Sequence, residues 1–247
     1  MRNYNKEIKD TSSHKYTYDF DKIMHGFIYR TFKQYSIYGH ILELGSFKGD
    51  FTKHILNDKC SSYLTCIEAS KKAIEEAKKN INLKGNPNIN FVNSTFEYAT
   101  LSCKYETVIM THVLEHLDSP IEILRKINKK WLSENGRLFI AVPNANAPSR
   151  QIAVEMGLID HNTAVTKDEK KHGHKRTYTL DTLKNDVRKA GLKIEASGGI
   201  FFKGLANFQF DKALQEKIIT LEYLEGCYQL GKSYPDLCSS IYVVAGH

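Results

Sequence analysis

Ile41-Leu42-Glu43-Leu44-Gly45-Ser46-Phe47-Lys48-Gly49-Asp50 is the stretch on which the reading of this chain turns. An apolar, strand-like run ends at an acidic residue and enters a tight glycine loop, and a helix-like segment follows. Strand, glycine turn and helix start together form a nucleotide-type binding corner. The loop has to turn sharply and bring its backbone close to a ligand, and glycine permits both because it has no Cβ.

Outward from this corner the chain alternates strand and helix signals. Strands are expected over 40–44, 63–67, 89–92, 105–110, 137–141 and 192–197, with a last one over 240–245. Helices are expected over 50–57, 71–80, 96–101, 120–130, 151–156, 180–189 and 210–223. Ser119 and Pro120 mark one helix start, and Pro fits a first helical turn. The order predicts an α/β chain: a mostly parallel seven-stranded sheet, helices on both faces, and the last strand antiparallel at the sheet edge. Upstream, Ile23, Phe27 and Thr31 space a helix over 21–35 with Asp19 or Asp21 as its N-cap, a cap or lid on the sheet. The expected organisation is one domain over 1–247. It divides into a cap (1–38), a ligand-binding core (39–142), an insertion (143–178) and the rest of the sheet (179–247).

Composition sets the class. With 247 residues, 41% hydrophobic and 26% charged, the chain can bury a sizeable core. No apolar run reaches the roughly 20 residues that span a bilayer. The polar start MRNYNKEIKD lacks a signal-peptide core, so a cytoplasmic protein without membrane association is expected. The net charge of +7 leaves room for an anionic partner. Its lysines are nevertheless scattered, and nucleic acid is not the expected partner. The five cysteines, Cys60, Cys66, Cys103, Cys227 and Cys238, form no CxxC pair and read as free thiols, mostly buried. No Cys/His spacing matches a zinc site, and no metal is expected.

Candidate chemistry gathers at the carboxyl ends of the predicted strands, where open α/β sheets bind ligands. Glu43 and the 45–49 loop come first. Glu68 ends the second strand, 23 residues after Gly45, where a carboxylate can accept from both hydroxyls of a ribose. Ser94, Thr95 and Phe96 end the third strand, and Thr111-His112-Val113-Leu114-Glu115-His116-Leu117 ends the fourth.

ELGSFKGD, IEAS and THVLEHLDSP, in this order and spacing, resemble the class I S-adenosylmethionine-dependent methyltransferases, small-molecule branch. HGHKRTYTLDTL followed by KAGLKI extends the resemblance to about residues 39–200. It implies a Rossmann-like fold and S-adenosylmethionine as cofactor, with S-adenosylhomocysteine as product. It also implies that Gly45, Ser46, Phe47 and Gly49 face the methionine part and Glu68 the ribose. Ala69, Ser94, Thr95 and Phe96 would border the adenine, and Thr111 and His112 would lie toward the sulfonium. Tyr16 and Tyr18 would close over the cofactor. Phe47 departs from the pattern, because the family places glycine there, and a side chain at that position needs negative φ or pays a strain cost.

Methyl transfer to oxygen needs alignment and, for some acceptors, a base. Histidine is the natural base, and His112, His116, His161, His172 and His174 are the candidates. LELGSFKGDFT, PNANAPSRQIA and HGHKRTYTLDTL also resemble bacterial surface-polysaccharide and sugar-pathway methyltransferases, the capsular phosphoramidate O-methyltransferases among them. That implies a small anionic or sugar-linked acceptor bound by Arg150, Lys171, Lys175, Arg176 and Tyr178. The alternatives are N-methylation of an amino sugar, RNA or DNA methylation, and a dinucleotide-dependent oxidoreductase. Base methylation would call for an Asn/Asp-Pro-Pro-aromatic segment after the fourth strand, and the oxidoreductase for GxGxxG; this chain has neither. A non-catalytic cofactor-binding protein is a further alternative. Oligomeric state is not readable.

Overall fold

The computed structural model describes Tyr4, residues 18–85 and residues 88–247; Tyr16 lies outside the described residues. The first described helix is α1 (Asp19–Lys33). The first half of the sheet then runs β1 (Gly39–Leu44), α2 (Asp50–Asn57), β2 (Ser61–Glu68), α3 (Lys71–Asn80) and β3 (Ile89–Asn93). The second half runs β4 (Tyr105–Thr111), α4 (Pro120–Lys126), β5 (Leu132–Pro143), α5 (Pro148–Glu155), α6 (Lys167–Lys171), α7 (Leu180–Lys189), β6 (Lys193–Phe202), α8 (Asn207–Gln215), α9 (Leu221–Ser233) and β7 (Cys238–Gly246).

The strands form one sheet in the order β3-β2-β1-β4-β5-β7-β6, parallel except for β7. Leu44 is in register with Ile67 and Met110, and Thr111 with Ala141, so the carboxyl ends of β1, β2, β4 and β5 share one edge. β2 lies on one side of β1 and β4 on the other, so the chain's direction of winding reverses beside β1 and leaves a crevice there. β7 enters at that same edge, with Ser240 opposite Pro143, and β6 leaves there, with Phe202 opposite Cys238.

Both faces of the sheet are covered, so its central strands are apolar in both directions. Leu42, Leu44, Val108, Met110, Leu138 and Ile140 pack toward Trp131, Tyr178 and the α4 and α7 side. Ile41, Cys66, Ile109, Phe139 and Val244 pack toward Phe20, Phe32, Phe51 and Phe210 on α1, α2 and α8. α1 therefore belongs to the core: Phe20, Ile28 and Phe32 are wholly buried.

Four sequence expectations change. Neither Asp19 nor Asp21 caps α1. Tyr18 holds the N-cap position, and Asp21 reaches back to accept from the Tyr18 N–H at 2.8 Å. The free N–H groups at the helix start are met from α8, where Asp211 accepts from Phe20 (2.8 Å) and Asp19 (3.1 Å). No helix forms over 96–101; Lys126 inserts its ammonium there and donates to the carbonyls of Phe96, Glu97 and Ala99 at 2.7–2.9 Å. The segment 210–223 breaks into α8 and α9, with Lys217 at φ 57° and Thr220 capping the second helix. Finally, the antiparallel strand is not at the edge: β7 lies between β5 and β6, and β6 is the outer strand.

Candidate active site

A cavity of about 470 Å³ opens beyond the carboxyl edge of β1, β2 and β4, a size suited to a small-molecule ligand. Gly45 leaves β1 at φ 78°, and a Cβ there would lie 2.5 Å from Val113 Cγ2. Phe47 follows at φ 46°, a left-handed conformation that costs a non-glycine residue roughly 1–2 kcal/mol. The Glu68 carboxylate holds it there: Oε2 accepts from the Phe47 N–H at 3.0 Å, and Oε1 accepts from the Ser70 N–H at 2.8 Å. Burial raises the Glu68 carboxyl above its ordinary pKa, and these backbone donors oppose the rise. Gly49 then starts α2 at φ 83°; a Cβ there would press on Ile81 at 2.9 Å and on Ala77 at 3.2 Å.

The cofactor-side expectations divide by position. Tyr18, Gly45, Ser46, Phe47, Glu68, Ala69, Thr95, Phe96, Thr111 and His112 line the cavity. Glu43, Gly49 and Ser94 do not. Glu43 is buried beneath the loop, where Oε2 accepts from Thr52 Oγ1 at 2.7 Å and from Cys66 Sγ at 3.4 Å; burial pushes its carboxyl up to about 7. Gly49 faces α3, and Ser94 turns its hydroxyl to the Thr95 carbonyl at 2.9 Å.

Whether S-adenosylmethionine suits these residues can be judged from their unmet capacity. The Glu68 carboxylate accepts from the backbone N–H groups of Phe47 and Ser70 and is also stabilised by that of Ala69, and of its roughly four lone-pair sites some capacity is left for a ribose hydroxyl. Among the described residues, no hydrogen-bond partner is seen for the buried Ser46 and Thr95 hydroxyls. Gly45 leaves room only while it lacks a side chain. The residues fit the group.

The acceptor side differs more from expectation. His112, His116, His172, His174 and Arg150 line the cavity; His161, Lys175, Arg176 and Tyr178 do not. His161 is exposed, with Nδ1 2.8 Å from Thr163 Oγ1. Lys175 pairs with Asp118 at 3.1 Å on the surface. Arg176 donates to the carbonyls of Leu117 (2.9 Å) and Asp118 (3.1 Å), fastening the loop to the β4 exit. Tyr178 is core, its phenol donating to Asp186 at 3.1 Å. Lys171 pairs with Asp168 at 3.1 Å and is absent from the cavity wall. Arg150 reaches the cavity, but its guanidinium is held by Glu169 and by the carbonyls of Asn162 and Ala164.

Other groups take the places those residues were expected to fill. Lys203, at the end of β6, lines the cavity and is 9% exposed, and burial pushes its ammonium down to about 8. It donates to Asn207, which donates to Asp21 at 2.6 Å, so β6, α8 and α1 are tied together across the cavity wall. His112 sits at φ 52° with Nε2 3.0 Å from Ser240 Oγ, and its ring centre is 6.4 Å from that of His25. Burial, reinforced by nearby positive groups, pushes His112 down to about 3. Burial pushes His25 down to about 4 against the pull of Asp50. Both imidazoles are neutral at pH 7 and accept hydrogen bonds. Glu115 is 1% exposed, neither carboxyl oxygen has a hydrogen-bond partner among the described residues, and burial pushes its carboxyl up to about 8. Local motifs carry no signal for His25, Lys203, Asn207 or Ser240, which reach the cavity from distant elements. Glu115 lies within the quoted THVLEH stretch, and its burial is what marks it out.

Residues 21–197 match the profile of the methyltransferase domain family. A malonyl-[acyl-carrier protein] O-methyltransferase from Halalkalibacterium halodurans is 27% identical over 130 residues, 49% of this chain and 47% of the relative. A mitochondrial ubiquinone biosynthesis O-methyltransferase from Schizosaccharomyces pombe is 25% identical over 118 residues, 47% and 42% respectively. The chain thus spans about half the length of these curated relatives or less. Among solved structures, an S-adenosylmethionine-dependent methyltransferase from Mesorhizobium loti aligns with TM-score 0.58 at 16% identity, over 84% of this chain and 90% of that one. The plantazolicin methyltransferase BpumL in complex with S-adenosylhomocysteine aligns with TM-score 0.57 at 17% identity, over 92% and 85%. This chain belongs to the methyltransferase domain family, and its fold is that of the S-adenosylmethionine-dependent methyltransferases.

Proposed function

We propose that this chain methylates a hydroxyl oxygen of a small, anionic or sugar-linked metabolite, using S-adenosylmethionine. The observation that carries the reading is the two-sided cavity. One wall holds Glu68 and the unpartnered Ser46 and Thr95 hydroxyls; the other holds two neutral imidazoles and the buried Lys203 ammonium. Two curated relatives being O-methyltransferases supports oxygen as the nucleophile. The resemblance of PNANAPSRQIA and HGHKRTYTLDTL supports a role in surface-polysaccharide (capsule) synthesis, with a phosphoramidate among the acceptors.

When bound, the cofactor supplies an electrophilic methyl group on a sulfonium sulfur. Glu68 holds the ribose diol, the Gly45 to Phe47 backbone bounds the methionine part, and Ala69, Thr95 and Phe96 border the adenine. Thr111 and His112 lie at the carboxyl end of β4, between the two walls. The His112 imidazole, steadied at Nε2 by Ser240, accepts from an acceptor hydroxyl and orients it; such alignment supplies much of the rate of a displacement. Lys203 offers its charge to an acidic group on the acceptor, in place of the Lys175 and Arg176 pair.

Calorimetry with S-adenosylmethionine, followed by transfer of labelled methyl to sugar and sugar-phosphate acceptors, tests this reading. Absence of cofactor binding would sink it. Lys203→Met is expected to raise the acceptor KM about tenfold, the loss of one charge-assisted hydrogen bond, with cofactor affinity intact. An unchanged KM would remove Lys203 from the acceptor wall.

A further inference from the structure

Glu115, His116 and His174 bring one carboxylate and two imidazoles together on the cavity wall, their ligand atoms all within 4.8 Å of one another. The set is assembled from the two ends of a 60-residue stretch, 115–174, so no local spacing announces it. Glu115 and His116 sit in a short 3-10 turn, Leu114–His116, that follows β4. His174 arrives on the loop after α6. The Lys175 N–H donates to the Glu115 carbonyl at 2.8 Å, and the His174 N–H to the Glu169 carbonyl at 2.9 Å, so the backbone fixes both segments where they meet.

His116 Nε2 is 4.0 Å from Glu115 Oε1, too far for a hydrogen bond, and the His116 and His174 rings meet edge to face with centres 4.6 Å apart. Among the described residues, neither buried Glu115 oxygen has a donor from another side chain. A buried carboxyl group without a donor is costly to keep, so a compensating partner is called for. With two imidazoles beside it, a cation compensates the carboxyl oxygens and brings imidazole nitrogens in as further ligands.

We infer that Glu115, His116 and His174 form a divalent-cation site in the cavity wall, with its open coordination positions turned to the acceptor. One carboxylate and two histidines is a mixed oxygen and nitrogen donor set that suits Zn²⁺ or Mn²⁺ and leaves positions free for other ligands. Ca²⁺ takes six to eight oxygens and suits it poorly. Ligands of one zinc lie within about 4 Å of each other, so rotation of the side chains by about 1 Å closes the set. The site's existence rests on this geometry; its use rests on the methyltransferase reading. There the cation holds acceptor oxygens beside the methyl donor, which favours acceptors with two adjacent oxygens: a vicinal diol, or a hydroxyl beside a carboxylate or phosphate.

The test is calorimetric titration of untagged, EDTA-dialysed protein with Zn²⁺, Mn²⁺ and Ca²⁺, with Mn²⁺ also followed by electron paramagnetic resonance. One equivalent of Zn²⁺ or Mn²⁺ is expected, and much weaker Ca²⁺ binding. Glu115→Gln and His174→Ala should each weaken binding by at least about tenfold, and His161→Ala, outside the cavity, should bind as the parent does. S-adenosylhomocysteine affinity, measured on the same samples, should change by no more than about twofold in each variant, which also reports that each is folded. No saturable Zn²⁺ or Mn²⁺ binding, variants that bind like the parent, or equal loss in His161→Ala would each overturn the site. Failure of the parent to bind S-adenosylhomocysteine would instead bring down the methyltransferase reading, whatever the cation does.

Discussion

Glu68 does two jobs with one carboxylate. It pins the strained Phe47 backbone and the Ser70 N–H, and under the proposed function its remaining acceptor capacity serves a ribose. Glu68→Gln retains one acceptor oxygen but puts an amide donor where one of the two backbone N–H groups points. Cofactor affinity is expected to fall by about 1–3 kcal/mol, roughly 10- to 100-fold, measured by calorimetry; unchanged affinity would separate Glu68 from the ribose. The positions of these residues were legible because each stands at the end of a predicted strand, where topology alone brings it to the edge. The conformation of Phe47 was only half legible. Its strain follows from the residue type, but the carboxylate that offsets it comes from the next strand. The acceptor wall was much less legible. Lys203, His25 and Ser240 sit in unremarkable sequence, and only the packing of β6, α1 and β7 at one edge brings them together.

At the scale of elements, the sheet core from β1 to β5 followed from apolar runs broken by turn residues. At two of the places where the structure departs from expectation, the start of α1 and 96–101, a side chain from elsewhere has taken over the local hydrogen bonds. Lys126 does so at 96–101, satisfying three carbonyls that a helix would otherwise use. Arg150 plays the corresponding part in the insertion. From α5 it reaches Glu169 at the start of α6 and two carbonyls of the intervening loop. Thr166 and Glu169 cap that helix reciprocally. Arg150→Ala removes the tie, and the 157–166 loop should then be cut faster by limited proteolysis. The acceptor KM should rise several-fold while cofactor affinity holds, since Arg150 and its partner Glu169 line the cavity on the proposed acceptor side. Equal cleavage rates in the two proteins would show that the loop is held by other means.

For the whole molecule, the half-buried His25 links the cavity to global stability. His25 has an ordinary pKa near 6.5 in the unfolded chain and about 4 in the folded one. Between those values the unfolded chain binds a proton that the folded one does not, so stability falls as pH drops from about 6.5 to about 4. The groups facing it are Asp50 and His54 on α2 and His112 at the β4 exit. Full protonation corresponds to about 3 kcal/mol. His25→Gln is expected to flatten that part of a stability-versus-pH curve from denaturant melts, and an unaltered slope would assign the acid loss to other groups. Among the described residues no helix is long and apolar enough to cross a membrane.

The placement of β7 has a consequence in time as well as in space. β6 touches the sheet only through β7, which comes later in the sequence, and β5 waits across roughly a hundred residues for the same strand. The parallel corner that carries Gly45 and Glu68 needs none of this and can assemble from residues already in hand, whereas the edge that presents Lys203 and Ser240 cannot form until β7 threads between its neighbours. Closing so distant a pairing is slow relative to local contacts. Cofactor grip is thereby expected to mature before acceptor grip along the folding path, with β7 the last piece to enter the sheet.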